Sequence, residues 1–245
     1  MRIPRIHAEI DLAVGTTPTL PVGPSRHLAQ VLRLGPGAPL ILFNGDGFDY
    51  AARILSLQKQ GTRVAVESVS PEEPQAPLAI HLALGISKGE RMDYALQKAV
   101  ELGVGAIRPL FTERSQVRLE GDRLERRLEH WNGIVVAACE QSGRRRLPRL
   151  ETADRFESWL ASPRTGSGLL LDPTASVNLT ELERPATSVN LLIGPEGGLS
   201  PRERERAGEA GFQGVRLGPR ILRTETAPLA AIAVIQALWG DFRAT

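Results

Sequence analysis

The chain is short of cysteine, lysine and long apolar runs, and each shortage excludes something. A single cysteine, Cys139, rules out an internal disulfide and fits a reducing cytoplasm. That cysteine and four scattered histidines (His7, His27, His81, His130) offer no metal-ligand spacing, so no metal is expected. The longest apolar run, Leu229 to Trp239, is interrupted by Gln236 and is too short to span a bilayer. The first residues, MRIPRIHAEI, have no apolar stretch of signal-peptide length. No membrane association is expected. Internal repeats, low-complexity tracts, a nucleophilic triad and paired hydrolase carboxylates are also missing. Lysine is nearly absent: of 30 basic residues only Lys59, Lys88 and Lys98 are lysine, leaving 27 arginines. Arginine's planar fork suits phosphate, although an Ala-, Gly-, Leu- and Pro-rich composition also accompanies biased codon supply. The net charge of only +2 gives no general polyanion signal, so local clusters matter more than the total.

What is present divides into two regions within 245 residues. Residues 1–72 read as strands and turns, in AEIDL, PLILFNGDGFDYAARIL and TRVAVESV. The pairs Asn44-Gly45 and Asp46-Gly47 form a strong hairpin signal. Only SRHLAQVLRL looks helical, with Leu28, Val31 and Leu32 on one face. A small β-barrel would close such a short sheet. SVSPEEPQAP, at 68–77, reads as a linker.

Residues 73–245 alternate strand and helix, which predicts an α/β domain with a mostly parallel sheet covered on both faces. LAIHLALGI, GAIRPLF, GLLLDP, SVNLLIG and GVRLG read as strands. In GERMDYALQKAVELG the residues Met92, Ala95, Leu96, Ala99 and Val100 share a face, and Gly103 stands at a C-cap. SPRERERAGEAG opens with a capping box, Ser200 with Glu203, and Pro201 at the first helical position. The alternating charges of Arg202 to Arg206 read as solvated surface.

Two strands end in glycine-rich turns that open helices, LLIGPEGGLSP and VRLGPRILRTETAP. In open parallel sheets, ligands bind beyond the carboxyl ends of strands. Glycines at 194, 197, 198 and 218 allow a ligand to approach the backbone. The spacing fits neither a dinucleotide fingerprint nor a P-loop. Glu196 would repel a phosphate but suit a ligand carrying positive charge. Thr224 or Thr226 can cap the final helix, with Pro228 in its first turn. A cap explains Thr and Glu225 but not Arg223, which the helix dipole disfavours there. An ionic, hydrogen-bonding pocket explains all three. Lys88 and Arg91, Arg114 and Arg118, and Arg144, Arg145, Arg146 and Arg149 lie at further strand or helix ends. Together they would form an electropositive rim suited to a polyanion.

Taken together, KGERMD (88–93), QKAVELGV (97–104), TERS (112–115), EQSGR (140–144), IGPEGGLS (193–200) and LGPRILRTETA (217–227) resemble the bacterial 16S ribosomal RNA uridine-N3 methyltransferase family, of the SPOUT class. VLRLGPG and LILFNGDG in the first region match as well. Ala38 departs from the acidic residue usual there, and His7 stands where an aromatic is common. The resemblance implies a PUA-like β-barrel followed by an α/β domain whose C-terminal chain forms a trefoil knot. It implies a homodimer that binds S-adenosylmethionine and methylates 16S rRNA of the small ribosomal subunit. Carried over, the cofactor site is Leu171, Gly194, Glu196, Gly198, Leu217, Gly218, Ile221, Leu222, Arg223, Thr226 and Ala227. Arg223 or Arg91 would stabilise an anionic uracil, with Glu225 as candidate base. Arg2, Arg5, Arg33, Lys88, Arg91, Arg114 and Arg144 are the expected RNA contacts.

Overall fold

The computed structural model describes residues 3–58 and 61–243. Arg2, one of the expected RNA contacts, lies outside them. The chain divides into two units. One runs up to Gln75 and includes Val136–Leu147; the other holds Ala76–Val135 and the chain from Pro148 onward.

In the first unit four strands pair in the order β1 (Arg5–His7), β2 (Pro39–Phe43), β3 (Tyr50–Gln58), β4 (Gly61–Val69). The first pair is parallel and the other two are antiparallel, making a mixed sheet. The hairpin between β2 and β3 falls on the two Gly pairs. Gly45 and Gly47 take φ of 96° and 102°, and the Asn44 and Asp46 side chains accept from Asp46 N and Phe48 N. Aliphatic residues of alternate strand positions, Leu40, Leu42, Ile54, Val64 and Val66, fill the core with Ile6 and Leu28.

Three expectations change here. The first strand is Arg5–His7 rather than the AEIDL stretch; after it, Ala8 N donates to Phe43 O and the chain bends away. The helical segment is a short helix, α1 (Val22–Arg26), running into a π turn at His27–Val31 in which Leu32 N reaches back to His27 O. The wider turn shifts the phase of the face. Leu28 is buried, but Val31 is 65% exposed and Leu32 lies on the surface.

The third change concerns arginine. Arg5, an expected phosphate contact, is instead enclosed in the fold: its side chain is only 8% exposed and both terminal nitrogens are engaged. It bonds Asp49 Oδ1 at 2.7 Å, Cys139 O at 2.7 Å and Arg144 O at 3.2 Å, and it lies 4.6 Å from the Phe43 ring centre. Arg145 joins Asp49 at 3.2 Å, Arg146 pairs with Glu72, and the Glu73 carboxylate accepts from both backbone N–H groups, Arg145 N and Arg146 N. The RRR run therefore clasps the segment expected to be a free linker. It does not supply an open rim. Cys139 lies buried beside it, and burial pushes its thiol up to about 11, with Arg144 and Arg5 pulling the other way.

The second unit contains a seven-stranded parallel sheet. Its elements in chain order are β5 (Ala79–Gly85), α2 (Glu90–Glu101), β6 (Ala106–Phe111), α3 (Gly121–Ser142), β7 (Arg149–Leu150), β8 (Asp154–Arg155), α4 (Phe156–Ala161), β9 (Ser167–Leu171), β10 (Ser188–Ile193), α5 (Pro201–Glu209), β11 (Phe212–Val215) and α6 (Thr226–Trp239). The end of α3, from Val136, groups with the first unit. The strand order is β11-β9-β10-β5-β6-β7, with β8 also on β6. The central strand β10 is buried at every position, as a strand covered on both faces must be.

Helix α2 buries the face its periodicity predicts: Met92, Ala95, Leu96, Ala99 and Val100. It ends with Gly103 at φ 89°. Gln236, the polar break in the last apolar run, is fully buried in α6. Its amide donates to Leu102 O at 2.9 Å and accepts from Asp241 N at 3.1 Å, so both ends are satisfied.

If Arg5 is structural, Arg5→Met lowers unfolding free energy by about 3 kcal/mol, at the low end for a broken buried pair because Asp49 keeps Arg145. Urea titration followed by circular dichroism measures it. Unchanged stability with weakened RNA binding would return Arg5 to the surface role.

Candidate functional site

Because the strands of the second unit are parallel, five of them deliver their following loops to one edge of the sheet. After β5 comes Ile86-Ser87-Lys88, after β6 the turn Thr112–Ser115, and after β9 Asp172-Pro173-Thr174. After β10 comes Gly194–Leu199, and after β11 the stretch leading to Glu225. Around these loops lies a cavity of about 580 Å³.

Glycine sets how closely the loops approach. A Cβ on Gly85 would stand 2.5 Å from the Pro195 ring, and one on Gly194 would stand 2.7 Å from Leu199 N. The turn Pro195–Gly198 closes with Gly198 N donating to Pro195 O, and Gly198 at φ 65°. Thr224 then ties three segments. Its Oγ1 donates to Gly194 O at 3.2 Å and meets Ser87 Oγ at 3.1 Å. Neither Thr224 nor Thr226 caps α6. The N-cap position is Glu225, whose side chain makes no capping bond. Thr224 is spent on holding the pocket wall, which is why so polar a stretch precedes an apolar helix.

Glu196 is the electrostatic centre. Its Oε1 accepts from Lys88 N at 2.9 Å and Arg91 Nη1 at 3.2 Å. Burial alone would raise this carboxyl, but the Lys88 N–H, its own N–H and the Arg91 guanidinium outweigh burial and hold it below the ordinary carboxylate value. Its Oε2 is buried with no partner among the described residues, and the same holds for Glu225 Oε2. Two unsatisfied carboxylate oxygens beside one cavity call for a ligand with positive charge or N–H and O–H donors. A phosphate would meet repulsion there.

The expected site residues largely converge. Leu171, Gly194, Glu196, Gly198, Leu217, Ile221, Leu222, Arg223 and Ala227 line the cavity, as do Arg91, Arg114 and Glu225. Gly218 and Thr226 do not. Gly218 turns the chain at φ 65°, and Thr226 is exposed at the first position of α6. Lys88 presents its backbone N–H to Glu196 while its side chain is exposed. Arg33 is exposed in the first unit at φ 52°, and Arg144 is half-buried with its carbonyl taken by Arg5.

The far wall carries no motif in the sequence. Asp172 closes a turn on Thr174 N and Oγ1, at 2.8 and 2.7 Å, and faces Arg204 at 3.5 Å. Arg204 belongs to the charge run expected to be solvated, yet it lines the cavity, and Glu203 beside it is only 2% exposed. The position of Asp172 directly after a parallel strand was the available signal. Apolar cover comes from Leu170, Ile193, Leu199 and Leu222, while Ile221 stands 85% exposed at the rim.

Among the described residues, no group of three or more His, Cys, Asp or Glu side chains converges as a metal site. No helix is long and apolar enough to cross a membrane.

Residues 74–236 match the model of an RNA methyltransferase domain, and residues 25–66 that of an RNA methyltransferase PUA domain. The ribosomal RNA small subunit methyltransferase E of Buchnera aphidicola subsp. Schizaphis graminum is 34% identical over 241 residues, 98% of each chain. A methyltransferase of Legionella pneumophila, solved in complex with the bound cofactor SAM, superposes with TM-score 0.95 at 38% identity, over 98% of this chain and 100% of that one. The ribosomal RNA small subunit methyltransferase E of Neisseria gonorrhoeae, solved bound to S-adenosyl methionine, does so at 0.91 and 41%, over 99% and 100%. A domain match across most of the chain, with relatives matched end to end, means that this chain belongs to the RNA methyltransferase family that includes ribosomal RNA small subunit methyltransferase E.

Proposed function

We propose that the chain transfers a methyl group from S-adenosylmethionine to N3 of a uridine in 16S rRNA of the small ribosomal subunit. The observation that carries the reading is the ionised Glu196, with a buried, unpartnered oxygen, beside an apolar-walled cavity between two glycine turns. A cationic methyl donor with a flat base fits that combination. Leu170, Ile193 and Leu222 would cover the base, backbone groups at Gly194, Gly198 and Leu217 would meet its polar edges, and Glu196 would balance the positive charge. When bound, the cofactor supplies an electrophilic methyl on sulfur.

The protein's own task is the uracil. N3 carries a proton at neutral pH, so the ring must be stabilised as an anion while the proton leaves. Arg223 lines the cavity and, among the described residues, makes no side-chain ion pair, so its guanidinium is available for the developing charge. Arg91, the alternative, is engaged with Glu196. Glu225, whose Oε2 is buried without a partner among the described residues, would take the proton. Lys88, Arg114 and Arg118 on the second unit and Arg33 on the first, all exposed, are the proposed phosphate contacts.

We read the domains as a PUA-like RNA-binding module over 1–72 and a SPOUT methyltransferase domain over 73–245, with the C-terminal chain knotted through the cofactor loops. The mixed sheet and the PUA match support the first, and the Thr224 tie supports the second. The enzyme acts as a cytoplasmic homodimer. Leu229, Ala230, Ala233, Val234 and Leu238 form a part-exposed apolar stripe along α6, suited to a second copy.

Labelled methyl transfer to undermethylated small subunits, followed by mass-spectrometric mapping of the nucleotide, tests the reaction. A methyl group found on a ribose oxygen, or only on tRNA, would overturn it. Arg223→Ala is expected to cut turnover about a hundredfold, roughly 3 kcal/mol, with RNA binding intact; full turnover would refute the assignment. Cofactor affinity by calorimetry should fall with acid through a midpoint below the ordinary carboxylate value of 4.5, since protonation removes the charge and Glu196 holds its proton weakly. Glu196→Gln should weaken it about tenfold throughout; a midpoint above 4.5 in the wild type would contradict the role. Ala233→Glu should yield monomers in sedimentation equilibrium, and an unaltered dimer would remove α6 from the interface.

A further inference from the structure

Glu203 is a carboxylate buried at the start of α5, where a capping box alone would need only its bond to Ser200 N. That bond is present, at 2.8 Å from Oε2. The other oxygen, Oε1, reaches out of the helix and accepts from Glu113 N at 2.8 Å, ninety residues away in sequence. Glu113 sits in the turn Thr112–Ser115, which is closed on itself. Ser115 N donates to Thr112 O, and Ser115 Oγ accepts from Thr112 N. The next residue, Arg114, lines the cavity, and its Nη1 donates to Gly197 O at 2.8 Å. Contact there is close enough that a Cβ on Gly197 would stand 3.1 Å from Arg114 Cβ.

We propose that Glu203 is a positioning residue for the reaction, and that it acts through Arg114. One carboxylate holds two loops at once: Oε2 fixes the end of the GPEGG turn, and Oε1 fixes the turn that carries Arg114. With both held, the Arg114 guanidinium is kept over Gly197 at the mouth of the cavity, where a substrate phosphate or uracil carbonyl would meet it. Without Oε1, the Thr112–Ser115 turn keeps its internal bonds but loses its anchor to α5, and the Arg114 bond to Gly197 O loses its support. The role rests on the methyltransferase reading above, whereas the anchor itself does not.

Three variants separate anchoring from capping. Ser200→Ala removes the cap to Glu203 N but leaves both carboxylate bonds. Glu203→Ala removes both, and Glu203→Gln keeps the shape while turning an N–H toward one of the two donors. Amide hydrogen exchange is expected to quicken about tenfold over residues 112–116 in Glu203→Ala, and in the first turn of α5 alone in Ser200→Ala. Glu203→Gln covers the case in which the alanine variant fails to fold. Unchanged exchange at 112–116 in the Glu203 variants would overturn the anchor. For methyl transfer, Arg114→Ala and Glu203→Ala should each lose about tenfold in kcat/KM for RNA, and the double variant no more than Arg114→Ala alone. Losses that multiply would mean that Glu203 does not act through Arg114. A wild-type protein that transfers no methyl group would sink the functional reading instead, and the exchange result would still decide the anchor.

Discussion

Where the ends of β5 and β10 meet there is no room for a side chain, and the rest of the site depends on that fact. Gly85 packs on Pro195, and Gly194 packs on the backbone of Leu199. Only because the main chains touch can one threonine hydroxyl reach Gly194 O and Ser87 together. The same closeness lets the Glu196 carboxylate cross from its own turn to Lys88 N after the neighbouring strand. The two glycine turns that bound the cavity are thus held by backbone contacts, whose positions are set by the sheet.

The electrostatics follow from the same geometry. Phosphate-binding glycine turns offer unpaired N–H groups to an anion. Here a carboxylate already occupies that role, taking the Lys88 N–H and an arginine. What remains is a surplus of acceptor oxygen on Glu196 and Glu225, both of which line the cavity. The arginines are set around this centre, with Arg91 on Glu196, Arg114 on Gly197 O and Arg204 near Asp172. One pocket can therefore welcome a cation at its base while its rim favours a polyanion.

Much of this was legible in the sequence where one short segment determined the outcome. The buried face of α2 follows from spacing alone, the hairpin from its Asn-Gly and Asp-Gly pairs, and the start of α5 from Ser200 and Glu203. The gathering of GPEGG and LRTETA at one edge follows from parallel strands. Harder to read was anything decided by a distant partner. An arginine run reads as an open rim until Asp49, Glu72 and Glu73 are brought against it. Alternating charges read as solvated until Glu203 meets Glu113. Thr224 reads as a cap because its true acceptor, Gly194 O, lies thirty residues back. The π turn at His27–Val31 breaks the helical count, so Val31 falls on the wrong face. In the three polar cases the residue type announced a bond, and only the fold supplied the other end.

The lone thiol has a practical consequence. Cys139 is enclosed beneath Arg5, and burial keeps it protonated at physiological pH. It should be silent toward maleimides and mild oxidants. A cysteine introduced at an open position such as Arg118 would then be the sole reactive sulfur on the native polypeptide. A fluorophore or spin label could be attached there without first removing the natural residue.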